Sequence, residues 1–171
     1  MLENIKSDIK RFGVKKLTIF NLIKWYTVDT GFKAVVLYRL SNYLYNKEII
    51  RISQLVKNYN LKKTGAEISQ SAQIGKNLFI AHPNGIVIGG KCKLGNNVTL
   101  LQQVTLGLAK VDKYENPQIG NNVYLGAGCK VLGGIHIGDN CIVAANAVVT
   151  KSFEKNLIIG GIPAKEIGIN N

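Results

Sequence analysis

The sequence is sparing with the residues that build metal centres and disulfide frameworks. Its 171 residues include two histidines (His82 and His136), three cysteines, three prolines, one methionine and one tryptophan. A catalytic zinc site of the three-imidazole kind needs more histidine than this, and no C-x-x-C pair is present; no metal is expected. An odd cysteine count without a secretory signal points to a reducing, cytoplasmic setting. Long hydrophobic runs are also missing. The most apolar stretch, residues 17–28, is interrupted by Asn21 and Lys24 and is too short to span a bilayer.

Acidic residues are scarce as well, ten against 22 Lys and Arg, leaving a formal charge of +12. The imbalance is local. Residues 1–65 carry 13 basic side chains against Glu3, Asp8, Asp29 and Glu48, a net of +9, so only +3 remains for the rest. A basic segment of this kind favours a phosphorylated cofactor, an acidic or lipid-linked saccharide, or an anionic membrane surface, with the protein peripheral at the inner face of the membrane. Nucleic acid is not expected, because no zinc-ligand spacing, RNP-type aromatic motif or helix-turn-helix signature accompanies the charge.

What the sequence has in abundance is a period of six. From Ile119 to Thr150 an aliphatic residue opens each unit (Ile119, Leu125, Val131, Ile137, Val143, Val149), a small residue usually follows, and the fifth position is again apolar or small. Ile68, Ile74 and Ile80 open one upstream group and Ile88, Leu94 and Leu100 another. Hexads of this kind signal a parallel β-helix. The fourth positions read Ser71, Asn77, Lys91, Asn97, Gln103, Asn122, Gly128, Gly134, Asn140 and Asn146. Asn and Gly accept positive φ at least cost, as a tight corner after every short strand demands. Cys92, Cys129 and Cys141 all take the fifth position, where a thiol acts as a small buried hydrophobe.

The count of six fails twice. Between Ile80 and Ile88 the spacing is eight, and the Pro83-Asn84-Gly85 turn should push out of the coil and carry His82 with it. From Leu106 to Ile119 it is thirteen where twelve would keep step, and the polar stretch Leu108 to Pro117 should form an extruded loop. His136 falls in an unbroken unit and should face solvent. Residues 1–64 lack the hexad and show helical spacing, with two to four helices, a cap at Asp29 or Thr30, and breaks at Gly13 and around Asn58 to Asn60. The expected organisation is therefore an N-terminal α-helical region over 1–64 and a β-helix over 65–171, with a tail that leaves the repeat at Gly160 to Lys165.

Several motifs together resemble the serine acetyltransferase branch of the hexapeptide acyltransferases. They are Gly31-Phe32-Lys33-Ala34 with Tyr38-Arg39, then His82-Pro-Asn-Gly-Ile-Val-Ile-Gly89, Val104-Thr-Leu-Gly107, Ile119-Gly-Asn-Asn-Val-Tyr-Leu-Gly-Ala-Gly128 and Gly161-Ile-Pro-Ala-Lys165. The resemblance runs from about Thr30 to Gly168. It implies a mainly β fold, a left-handed parallel β-helix with an N-terminal helical cap. It also implies a homotrimer, which could pair into a dimer of trimers, with acetyl-CoA as acyl donor in a groove between subunits. It makes His82 the general base, with Glu67 at the position of the carboxylate that orients it, where the family usually has Asp. A neutral imidazole held by a carboxylate is sound chemistry for taking a hydroxyl proton. Gly107, Ala127 and Ala145 match positions along the pantetheine arm, and Lys151 and Lys165 match the region near the CoA phosphates.

The acceptor side departs from the family. Serine acetyltransferases place Asp before the histidine and Arg-His-Pro in the loop, to hold the ammonium and carboxylate of serine; here these are Ala81 and Glu115-Asn116-Pro117. An unpartnered ionic group of the substrate would be costly to bind. The expectation is an acetyl-CoA-dependent O-acetyltransferase whose acceptor, met by Asn84, Tyr114, Glu115 and Asn116, is a sugar hydroxyl of a bacterial surface polysaccharide or its lipid-linked precursor. The alternatives are a serine O-acetyltransferase with an altered clamp and a non-catalytic membrane-docking scaffold.

Overall fold

The computed structural model describes residues 1–16, 18–110 and 115–170. Four helices come first: α1 (Leu2–Arg11), α2 (Ile19–Val28), α3 (Thr30–Asn46) and α4 (Ile50–Thr64). Each boundary has a local cause. Thr18 caps α2 by accepting from the Asn21 N–H, and the Asp29 carboxylate caps α3 by accepting from the Phe32 N–H at 2.7 Å. Gly65, at φ +75°, ends α4 in the left-handed conformation. The expected break at Asn58 to Asn60 does not occur. Asn60 is buried, donates to the Ala34 carbonyl at 3.1 Å and accepts from Thr64 Oγ1 at 3.0 Å, so tertiary bonds outweigh its turn preference.

The coils follow as a three-sided, left-handed parallel β-helix. Face A stacks β1 (Glu67–Ile68), β4 (Val87–Ile88), β7 (Thr105–Gly107), β10 (Lys130–Leu132) and β13 (Val148–Val149). Face B stacks β2 (Gln73–Ile74), β5 (Lys93–Leu94), β8 (Gln118–Ile119) and β11 (His136–Ile137). Face C stacks β3 (Phe79–Ile80), β6 (Thr99–Leu100), β9 (Tyr124–Leu125), β12 (Ile142–Val143) and β14 (Leu157–Gly161), and ends in β15 (Ala164–Ile169), which pairs antiparallel to β14. Two-residue strands have no stability of their own; the aliphatic that opens each hexad supplies it. Ile68, Ile88, Leu106, Val131 and Val149 form one buried column, and Ile80, Leu100, Leu125, Val143 and Ile159 another. Each such side chain contributes ~1.5–3 kcal/mol on burial.

The corners explain the rest of the hexad. A Cβ on Gly75, Gly95 or Gly120 would lie within 2.9 Å of the backbone of the coil above, so the second position stays small. At the fourth position Asn77, Asn97, Gln103, Asn122, Gly128, Asn140 and Asn146 take positive φ as expected. Ser71, Lys91 and Gly134 do not, and Gly133 does instead of Gly134. At the first two, a turn closes from Ala72 N to Ser69 O and from Cys92 N to Gly89 O without needing positive φ. The asparagines also bond to one another. Asn97 Nδ2 donates to Asn122 Oδ1 at 2.8 Å, Asn122 to Asn140 at 2.9 Å and Asn140 to Asn156 at 2.9 Å, and Arg11 of α1 closes the open end by donating to Asn97 Oδ1.

A buried ion pair fastens the helices to the first coil. Arg39 Nε donates to Asp8 Oδ2 at 2.9 Å, its two Nη atoms donate to the Ile74 and Gly75 carbonyls at 2.6 Å, and Asp8 Oδ1 accepts from Leu78 N. Gly31 lets α3 close onto β3, since a Cβ there would overlap the Ile80 carbonyl. The three thiols are buried. Burial pushes Cys92 up to about 11 and Cys129 up to about 12, and it raises Cys141. Among the described residues no helix is long and apolar enough to cross a membrane.

Candidate active site

The extra residues between β3 and β4 form the turn that the register break implied. Ile86 N donates to Pro83 O, Gly85 N to Gly65 O at 3.0 Å, and Gln103 N to Asn84 O at 3.0 Å, so the turn is clamped between the end of α4 and the next coil. Gly85 takes φ +73° there. His82 and Asn84 are exposed on this corner, while Pro83 is buried. Glu67 starts β1 beside the turn's exit, where its N–H donates to Ile86 O at 2.8 Å. Its carboxylate accepts from Lys57 Nζ of α4 at 2.9 Å.

The corner that carries His82 joins face C to face A and continues up the molecule. Gln103 N bonds to Asn84 O, Gly128 N to Gln102 O and Asn146 N to Ala127 O, so His82, Ala127 and Ala145 lie on one edge of the prism. Ala127 is half-buried and Ala145 exposed. Lys151 and Lys165 are exposed farther along the chain, with Lys151 Nζ 5.3 Å from the centre of the Phe153 ring and Lys165 paired in register with Gly160.

Gly107, Glu115 and Asn116 belong to the opposite edge, between faces A and B. A cavity of about 540 Å³ runs there, lined by Gly89, Gly107, Leu108, Asn116 and Leu132 among others, and a Cβ on Gly107 would meet open space. Asn116 Oδ1 sits over Gly89 and 3.7 Å from Cys92 Sγ. Both stems of the loop rest on the next coil. A Cβ on Gly133 would come 3.3 Å from Ala109 Cβ, and one on Gly134 would come 2.8 Å from Glu115 Cβ. Tyr114 lies outside the described residues.

The anticipated residues therefore fall on two edges separated by face A. A side of the prism is five or six residues of extended chain, roughly 16–20 Å at 3.3 Å per residue. One copy of the chain does not bring His82 to its own Gly107 and Asn116. The sequence also gave no reason to single out Leu132 or the Gly133-Gly134 pair; their signal, two glycines opposite the loop stems, becomes readable only once the coils are stacked.

Two family patterns match the repeat region: "Bacterial transferase hexapeptide (six repeats)" over residues 116–151 and "Hexapeptide repeat of succinyl-transferase" over residues 72–102. A serine acetyltransferase of Staphylococcus aureus (strain Mu50) is 37% identical over 164 residues, 95% of this chain and 77% of that protein. The Staphylococcus xylosus serine acetyltransferase is 37% identical over 163 residues, 95% of this chain and 76% of its own length. Among solved structures, the serine acetyltransferase of Brucella abortus strain S19 superposes with a TM-score of 0.88 at 28% identity, covering 99% of this chain and 70% of that one. The same enzyme in complex with coenzyme A gives 0.85 at 28% identity, over 99% and 68% of the two chains. The names of these relatives side with L-serine, the alternative acceptor expected above, rather than with a sugar.

Proposed function

The chain belongs to the serine acetyltransferase family of hexapeptide-repeat transferases, and from that footing we propose acetyl transfer to a sugar hydroxyl at a site shared between two copies of the chain. It is an O-acetyltransferase with acetyl-CoA as donor. The acceptor and the residues in contact with it are our reading. The placement of His82 and Asn116 on opposite edges of one prism carries the shared site: a neighbouring copy in a closed trimer can bring its loop edge to the first copy's histidine edge.

His82 takes the proton of the acceptor hydroxyl as that oxygen closes on the thioester carbonyl. The C–S bond then breaks, and the imidazole returns the proton to the departing thiolate. Glu67, steadied by Lys57, orients the imidazole. Gly107, Ala127 and Ala145 leave room for the thin pantetheine arm, and the open, largely apolar groove beside Gly107 suits that arm. Backbone N–H groups along it can meet the thioester oxygen. Lys151 and Lys165 would meet the phosphates of the donor. The reaction belongs in the cytoplasm, where the donor is available.

Charge supports a sugar acceptor. Glu115 stands where the family's arginine meets a carboxylate, and would repel one. Ala81 replaces an acid that would meet an ammonium. Asp29 is committed to the start of α3, which leaves Glu115 as the carboxylate an ammonium would meet. L-serine is the second reading, favoured by the names of the relatives, with Glu115 and Asn116 as the altered clamp. Thiol release from acetyl-CoA separates the two when L-serine and a panel of neutral and acidic glycans are offered in turn. We expect glycan-dependent release, and His82→Ala to lower it by ~10²–10⁴-fold with the fold intact. Turnover of L-serine alone would establish the second reading, and an unchanged rate in His82→Ala would remove the general base.

A further inference from the structure

α2 is the anomaly of the helical region, because none of its ten residues is buried. Leu22 and Trp25 lean on the core from its inner side. The outward half-turns carry Ile19 (73% exposed), Phe20 (72%), Ile23 (58%) and Val28 (74%), with Lys24 and Thr27 between them. A helix apolar on both sides is normally enclosed. The apolar surface continues beyond α2, where Tyr26 meets Tyr59 of α4, and Leu55 (66%) and Ile52 (52%) are exposed one and two turns back along α4.

The cations around this face are placed as they are beside an interfacial helix. A cleft of about 410 Å³ at the start of α2 is lined by five exposed lysines, Lys6, Lys10, Lys15, Lys16 and Lys76, against one acid, Glu3, which pairs with Lys6 at 2.7 Å. It is tied to the helix by the bond from Asn21 Nδ2 to Lys16 O at 3.0 Å. At the other end, Lys33 Nζ lies 5.6 Å from the centre of the Tyr26 ring and Lys63 Nζ 5.8 Å from that of Tyr59. Outward aliphatics, tyrosines at the margin and lysines with reach are the composition that seats a helix at the boundary of headgroups and acyl chains.

We infer that the outer face of α2, with the lysine cleft beside it, docks the protein on an anionic lipid bilayer. Charge selects this occupant over a second copy of the chain. Residues 1–65 carry a net +9, so copies paired through this face would set lysines against lysines, whereas anionic headgroups neutralise them. Docking would bring a membrane-held acceptor to the transfer site, but it does not depend on what the acceptor is.

The test uses the full chain in co-sedimentation with vesicles of phosphatidylcholine alone and of phosphatidylcholine with phosphatidylglycerol. The anionic vesicles should bind at least ~tenfold more protein and release it at high salt, as screening of surface charge requires. Ile23→Asp, and separately Lys15→Glu with Lys16→Glu, should each lower partitioning ~tenfold while melting curves and His82-dependent thiol release stay as in the parent. Equal binding to both vesicle types, no binding to either, or unchanged partitioning of both variants would overturn the inference. Self-association in solution that Ile23→Asp abolishes, without vesicle binding, would overturn it in favour of a second copy.

Discussion

Single side chains divide here into those that act and those that hold. Asp8 and Arg39 hold: removing the carboxylate strands a guanidinium that is 3% exposed. Asp8→Ala should cost about 3–5 kcal/mol in urea unfolding, and the apolar pair Asp8→Leu with Arg39→Met should not recover it, because the Leu78 N–H and the Ile74 and Gly75 carbonyls lose their partners. Gly31 also holds, beneath the turn that carries His82. Gly31→Ala must displace the Ile80 carbonyl two residues before His82, so it should lower both the melting temperature and the rate, which a purely structural site far from the turn would not do. Much at this scale was legible in advance. A histidine at a register break and asparagines in step at the corners are visible in a string of letters. The exceptions, Ser71, Lys91 and Gly134, were not, because residue identity at one place in the hexad does not fix the shape of its corner.

Among the elements, the asparagine ladder has a stabilising role that can be separated into two parts. Asn122 keeps positive φ and bonds to Asn97 and Asn140. Asn122→Gly loses the bonds and relieves the backbone, whereas Asn122→Ala loses both. The alanine variant should be less stable by about 2–3 kcal/mol and the glycine variant by about 1 kcal/mol less than that, read from denaturant midpoints. Gly134→Val should push Glu115 and the loop away from the coil, raising the acceptor KM more than it lowers stability. The elements also mark the limit of sequence reading. The hexads gave the coils as far as Thr150 but not the last turn through Phe153 to β14, and α4 runs through the Asn58–Asn60 segment because Asn60 finds partners in α3 and its own last turn, contacts that exist only after packing.

For the whole molecule, the proposed division of the site between two prism edges makes a quantitative statement. If each site takes His82 from one copy and the loop from the next, mixing inactive His82→Ala chains with inactive Asn116→Asp chains should restore about a quarter of the sites. Refolding the two together and assaying thiol release checks this; no recovery would place the site within one copy. Alkaline stability is a second property of the whole. Cys92 is held near 11, Cys129 near 12 and Tyr38 near 12 by burial, all above their ordinary values. These acids stay protonated in the folded chain while the unfolded chain ionises, so stability should fall as pH rises from about 9 towards 11. Urea midpoints across that range should decline, and less steeply in Cys129→Ala. The position of the cysteines on the fifth hexad place was readable from the sequence. The period of six does not say which corners a ligand spans; a groove between subunits came only from the family resemblance.

The antiparallel turn-back of β15 onto β14 also governs how far the stack can grow. Every other rung of face C is parallel, and a parallel rung offers the next chain the same docking pattern it received. β15 reverses direction and so ends that template. A chain cut after Gly161 would present an unfinished thread to any other coil with exposed strand edges, and light scattering or electron microscopy should then find elongating end-to-end assemblies where the full chain stays discrete. The last six-residue strand thus closes the parallel stack of face C.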